Sequence, residues 1–178
     1  MHILRHALSE TEGRGGQIAA RLAIVGIGQS LRGDDAAGLE AVESWRRGEA
    51  ETAGRADIRI ASMELPGLAL LDMLEGVRGA IIIDAVQAGA PPGTIHHVEA
   101  DQLEAFASSS KSAHGWGVAE TLRLGLALDP KLKDTEVCVI GIEAEDYTVG
   151  GGLSRAVREA LPRASAAIQL QVERLLKS

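Results

Sequence analysis

Aromatic side chains are nearly missing from this chain, with two Trp, one Tyr and one Phe in 178 residues. The core therefore cannot rest on ring packing and must be built from Leu, Ile, Val and Ala, with 21 glycines allowing backbones to approach closely. Cysteine occurs once, at Cys138. That excludes an internal disulfide and fits a reducing cytoplasm. No apolar run approaches the ~20 residues needed to span a bilayer, so membrane insertion is not expected. Met1 to Gln17 carries Arg5, Glu10, Glu12 and Arg14 and lacks the apolar stretch of a secretory signal. Basic charge is also short: 18 Lys and Arg face 25 Asp and Glu, for a net charge of −7. Phosphate backbones need clustered Lys and Arg, so nucleic acid is excluded as a partner.

What is present is an aliphatic, Gly-rich chain in which short apolar runs alternate with helical patterns. Leu22 to Gly28 (LAIVGIG) reads as a buried strand. After Asp34 and Asp35, the residues Ala37, Leu39, Ala41, Val42 and Trp45 recur at helical spacing, with Arg46 and Arg47 in the last turn, where cations suit the dipole. Ile58 and Ile60 alternate with polar residues as a second strand. Pro66 suits a first helical position, with Leu68, Leu71 and Leu74 on one face and Gly76 as the stop. Gly79 to Val86 (GAIIIDAV) is the most strand-like segment. Gly89 to Gly93 makes a turn and Thr94 to Val98 a further strand. The connection is too short for a parallel crossover, which predicts an antiparallel hairpin. Asp101 to Phe106 reads as a short helix, Ser108 to Ser112 as a polar loop, and Gly115 to Leu128 as a helix with Val118, Leu122 and Leu126 on one side. Thr135 to Ile142 (TEVCVIGI) is the last strand. Tyr147 to Gly152 is a loop, and Leu153 to Leu176 a final helix broken or kinked near Pro162.

These alternations predict one α/β domain over residues 21–178, a mostly parallel sheet with one antiparallel strand and helices on both faces. Residues 1–20 read as a flexible N-terminal extension. In such sheets ligands bind beyond the C-terminal strand ends, at a topological switch point. Three residues fall where that rule points. Asp35, beside Asp34, follows the first strand; Asp84 ends the strand IIIDAV; His114 precedes a helix. Two carboxylates and an imidazole suit a borderline divalent metal such as Zn, Ni or Cd, and three ligands leave positions open for substrate or water. Each residue also has a plainer reading. Asp34 is well placed as a helix N-cap, Asp35 favours the helix dipole, and His114 alone reads as a loop histidine. Asp84 resists such a reading, because a charge inside so apolar a run is costly unless paired or bound.

Other candidates are weaker. Gly26 and Gly28 have G-x-G spacing, but Leu31 stands where a dinucleotide fingerprint needs its third glycine, and Asp34 and Asp35 would repel a pyrophosphate. Cys138 reads as a small buried hydrophobe. His96 and His97 are neighbours on a strand and point to opposite faces, so they read as strand filler. Ser108 to Ser110 reads as a solvated loop, and no G-x-S-x-G elbow occurs.

In order, GIGQSLRGDDAAG, MELPGLALLDMLEG, IIIDAVQAGAPPGT and SAHGWG resemble the hydrogenase maturation proteases, over nearly everything from Leu22 to the C-terminal helix. The resemblance implies a three-layer fold around a twisted, mostly parallel five-stranded sheet. It implies a cytoplasmic endopeptidase that removes the C-terminal extension of a nickel-loaded [NiFe] hydrogenase large-subunit precursor. By the same resemblance, Asp35, Asp84 and His114 are the catalytic and metal-contacting residues, and nickel is supplied by the substrate rather than permanently bound. A monomer is expected. Gln29 stands where the family commonly has Asn, and Ala36 where Gly is frequent, which bears on the choice of substrate. A non-proteolytic nickel- or precursor-binding assembly factor is the alternative reading, with a nucleotide-binding domain behind it.

Overall fold

A computed structural model describes residues 20–64, 66–103, 105–106, 111–112 and 118–177. The expected extension, residues 1–20, therefore lies outside it apart from Ala20, and His114 also lies outside.

Strand β1 (Leu22–Ile27) is buried at every position. It pairs in parallel with β2 (Ile58–Met63) on one side and with β3 (Gly79–Gln87) on the other. Strand β6 (Glu136–Glu143) continues the parallel set from β3. Strand β4 (Ile95–Glu99) closes the other edge antiparallel to β6, giving the order β2-β1-β3-β6-β4. Two residues that read as polar loop, Lys111 and Ser112, instead form a short strand β5 against the end of β3. The five long strands are the expected mixed sheet. The hairpin is not. β4 runs antiparallel as predicted, but β6 lies between it and β3. The segment from Ala88 to Thr94 steps over the end of β6 and is fastened there. Gly93 N–H donates to the Glu143 carbonyl (2.8 Å), and Glu143 N–H donates to the Thr94 carbonyl (2.9 Å).

Burial on both faces follows from strand parity. On β1, Leu22 and Ile24 enter one core while Ala23, Val25 and Ile27 enter the other. On β3, Ile81, Ile83 and Ala85 oppose Ala80 and Ile82 in the same way. The first face is covered by α1 (Ala37–Gly48) and α5 (Arg155–Lys177), which also pack on each other. Trp45 fills that core completely buried, its indole N–H donating to Gln169 Oε1 at 3.0 Å. The second face is covered by α3 (Ala69–Leu74) and α4 (Val118–Leu128), while α2 (Ala50–Ala53) only extends α1 at the surface.

Three helix expectations change. α3 begins at Ala69, after a turn at Pro66; of the expected face Leu74 is buried and Leu71 packs partly buried on the core, but Leu68 is half exposed and Leu70 goes inward. α4 turns Thr121, Leu122 and Gly125 inward and leaves Leu126 at the surface. α5 is one unbroken helix through Pro162. Pro162 is on its solvent side, and so is Arg158, whose carbonyl loses the helical N–H partner, so water can satisfy it.

Candidate active site

The chain leaves β1 for β2 on one side and returns to β3 on the other, so the topological switch point lies between the C-terminal ends of β1 and β3. Backbone crowding builds the site there. Beyond β1 the chain enters a 3-10 turn, Gly33–Ala36, that leads into α1. This turn lies against the strand end, and a Cβ on Gly28 would press into the Asp35 carbonyl. One on Gly26 would stand 2.6 Å from the Gly38 carbonyl. The G-x-G spacing thus serves the seating of an acidic turn and not a pyrophosphate. Ser30 ties the intervening loop to the end of β2, its N–H and hydroxyl donating to Glu64 Oε1 at 3.1 and 2.6 Å.

Asp34 and Asp35 are both completely buried but do different things. Asp34 does not cap the helix as its position suggested; neither the 3-10 turn nor α1 has a side-chain cap. Its Oδ2 accepts from Glu145 N–H (3.0 Å) and Asp146 N–H (3.1 Å), and its Oδ1 from Ser154 N–H (2.6 Å). One carboxylate so fastens both ends of the loop between β6 and α5 to the end of β1. The Asp34 N–H donates in turn to the Asp146 carbonyl at 2.7 Å. Gly33 makes this approach possible: its φ is +55°, and a Cβ there would lie 2.5 Å from that same carbonyl.

Asp35 instead adds its charge to the surroundings of Asp84. Asp84 lies near the end of β3, 3% exposed, on the face it shares with Ala80 and Ile82, the one covered by α3 and α4. Its Oδ1 accepts from Ala85 N–H at 2.9 Å. Burial, with a smaller push from the charge of Asp35, raises the Asp84 carboxyl to about 8 against the lowering effect of the Ala85 N–H. The structure therefore brings two of the three predicted site residues together as a buried acidic pair. The third, His114, belongs to the segment ahead of α4, outside the described residues. Among the described residues no group of three metal-binding side chains converges.

The site has members that reasoning from sequence missed. Glu143 ends β6, buried, and accepts from Ala88 N–H (2.9 Å), Gly89 N–H (2.8 Å) and His96 Nε2 (2.8 Å). His96 is thus no strand filler but the partner of a buried acid. The signal was available: TEVCVIGIE ends on a charge in the same way that IIID does. Tyr147 stands on the loop that Asp34 fastens, with the Arg32 guanidinium 6.0 Å from its ring centroid. Cys138 behaves as read. It is buried in β6, and burial raises its thiol to about 11, which withholds the thiolate a nucleophile needs. Leu31 and Val149, 74% and 78% exposed, lie on the two loops at this rim, where Arg32 bridges to Val149.

Sequence and structure comparisons agree with one another. The family model described as hydrogenase maturation protease matches residues 65–171, more than half of the chain. The hydrogenase expression/formation protein HupD of Thiocapsa roseopersicina is 30% identical over 156 residues, which cover 85% of this chain and 66% of that protein. The chain thus spans just under two thirds of that relative's length. The putative hydrogenase maturation protease MJ0253 of Methanocaldococcus jannaschii is 30% identical over 146 residues, covering 79% of this chain and 89% of the relative. Among solved structures, the [NiFe] hydrogenase maturation protease HybD from Thermococcus kodakarensis superposes with a TM-score of 0.70 at 28% identity, covering 85% of this chain and 99% of that one. The hydrogenase maturating endopeptidase HybD from E. coli gives a TM-score of 0.72 at 21% identity, covering 86% and 93%, and shares the fold.

Proposed function

This chain belongs to the hydrogenase maturation proteases, and from that premise we propose that it removes the C-terminal extension of a [NiFe] hydrogenase large-subunit precursor after nickel has been inserted. The observation that carries this reading is the buried Asp35–Asp84 pair at the switch point. Two carboxylates held together away from water repel each other, and a divalent cation relieves that repulsion while using their oxygens as ligands. Nickel is part of the substrate here. Asp35, Asp84 and, from the segment before α4, His114 would receive it as an O/O/N set, which suits its borderline character. Capture requires Asp84 to give up its proton, so nickel binding strengthens as pH rises toward 8. With nickel held, the adjoining peptide lies beside the acidic pair, where the metal polarises its carbonyl or activates a water.

Mass spectrometry of the precursor tests this directly. Incubation with the protein should release a C-terminal peptide from nickel-loaded precursor and leave nickel-free precursor intact. Stable binding without any mass change would replace the peptidase with a non-proteolytic assembly factor.

A further inference from the structure

Large apolar side chains left in water are ordinary when scattered singly, but a group of them beside a site marks a contact surface. Among the described residues the two most exposed are Val149 at 78% and Leu31 at 74%, and Leu68 is half exposed. Leu31 follows β1, Leu68 follows β2 and Val149 follows β6, so all three lie beyond the C-terminal ends of parallel strands, the edge that carries the acidic turn.

The backbone that presents Leu31 and Val149 is fixed. Ser30 is bonded to Glu64, the Leu31 carbonyl accepts from Gly150 N–H at 2.7 Å, and Gly33 N–H donates to the Gly151 carbonyl at 3.2 Å. Arg32 and Val149 form an antiparallel bridge between the two loops. Before Val149, Asp146 Oδ1 accepts from the Thr148 N–H (2.9 Å) and hydroxyl (2.6 Å), while Asp146 is itself held by Asp34. The two loops are thus pinned into one unit. That unit is continuous with the acidic turn, because Asp35 N–H donates to the carbonyl of Arg32, the neighbour of Leu31, at 3.1 Å. Loops that only joined strands to helices would gain nothing from aliphatic side chains in water. A surface ordered in advance, by contrast, loses little freedom when a partner covers it.

We propose that Leu31 and Val149 form an apolar contact that seats the hydrogenase precursor, through an aliphatic patch on its surface beside the nickel, against the acidic site. This rests on the reading that the precursor is the partner, and not on whether it is cut. The exposed carboxylates of Glu64, Glu145 and Asp146 border the contact, so a patch with basic rather than acidic groups at its margin fits it. Because the pinned loops run directly into the turn that bears Asp35, a partner seated on them is brought to the acids.

The test is a double variant, Leu31→Ser with Val149→Ser. Calorimetry with nickel-loaded precursor should show Kd raised by about tenfold or more, the loss expected when apolar anchors of an interface are truncated. KM for cleavage should rise with it. Ni2+ alone should bind within about threefold of wild type, and Tm should move by no more than about 3 °C, because the side chains removed are exposed. Leu170→Ser serves as the control: Leu170 is also exposed but lies on α5, roughly 20 Å along the axis from Arg155, and its variant should bind as wild type. Wild-type Kd in the double variant overturns the inference, as does an equal loss in Leu170→Ser or a fall in kcat alone. Self-association of the free chain in ultracentrifugation, abolished by the same two substitutions, would assign the patch to a second copy and overturn it too. Precursor that binds the wild-type chain but stays uncut removes the peptidase reading and leaves the Kd comparison to decide this one; precursor that does not bind overturns both.

Discussion

Neighbouring aspartates with opposite duties show how little residue type says before contacts are known. Asp34 accepts three backbone N–H groups and belongs to the scaffold, whereas Asp35 adds its charge to Asp84 and belongs to the site. Asp34→Ala should therefore lower Tm by roughly 10 °C or more, because hydrogen bonds to a charged group are each worth about 1.5–3 kcal/mol and a chain of this size loses about 2–4 °C per kcal/mol. Asp35→Asn keeps the shape of the side chain and should change Tm far less than Asp34→Ala, yet cut precursor processing by roughly 10–100-fold. Thermal melts beside cleavage assays separate the two; equal Tm losses in both variants would refute the division. Asp84 gives a pH signature. Its pKa is raised from the ordinary 3.8 to about 8 in the folded chain, so the native state holds a proton that the unfolded state releases. Metal-free stability should then fall as pH rises from about 4 to about 8, by on the order of a few kcal/mol, and level off above. Denaturant melts of Asp84→Asn across that range should lose this dependence.

At the scale of elements, amphipathic periodicity gave α1 and its basic last turn correctly, because one apolar stripe faces one core. It placed the faces of α3 and α4 only in part, with Leu74 and Leu122 buried as expected but Leu68 and Leu126 exposed. α3 is apolar nearly all round, and α4 turns a threonine and a glycine inward beside Leu122, so only the sheet beneath decides which side chains go inward. Pro162 was read as a break because proline removes an intrahelical hydrogen bond. The helix survives since its inner stripe of Val157, Ala160, Ala164, Ala167 and Ile168 is buried along both sides of that point. Pro162→Ala should restore the missing bond on an exposed face and stabilise the protein by about 1–3 kcal/mol, read as a higher urea midpoint with m unchanged. No gain would mean that the helix has relaxed fully around the ring. The loop between β6 and α5 was legible only as flexible sequence, YTVGGG. Asp34 makes its two ends part of the fold.

For the whole molecule, two aliphatic cores flank a sheet whose three inner strands are sealed and whose edge strands are partly open. Local opening should follow that gradient. In hydrogen exchange, peptides covering residues 22–27, 79–86 and 136–142 should be protected far longer than those covering 58–63 and 95–99; equal protection would contradict the layered core. Among the described residues no helix is long and apolar enough to cross a membrane. The sequence by itself determined the α/β class, the alternation of strands and helices, and the two acids at the strand ends. Those depend on local periodicity and on the cost of burying a charge, both readable along the chain. Only tertiary structure decided that β6 lies between β3 and β4, that Asp34 clamps a loop more than a hundred residues away, and that Glu143 binds His96. Such pairings join residues distant in the chain, and packing and hydrogen-bond satisfaction across the assembled sheet select them, leaving no periodic trace in the sequence.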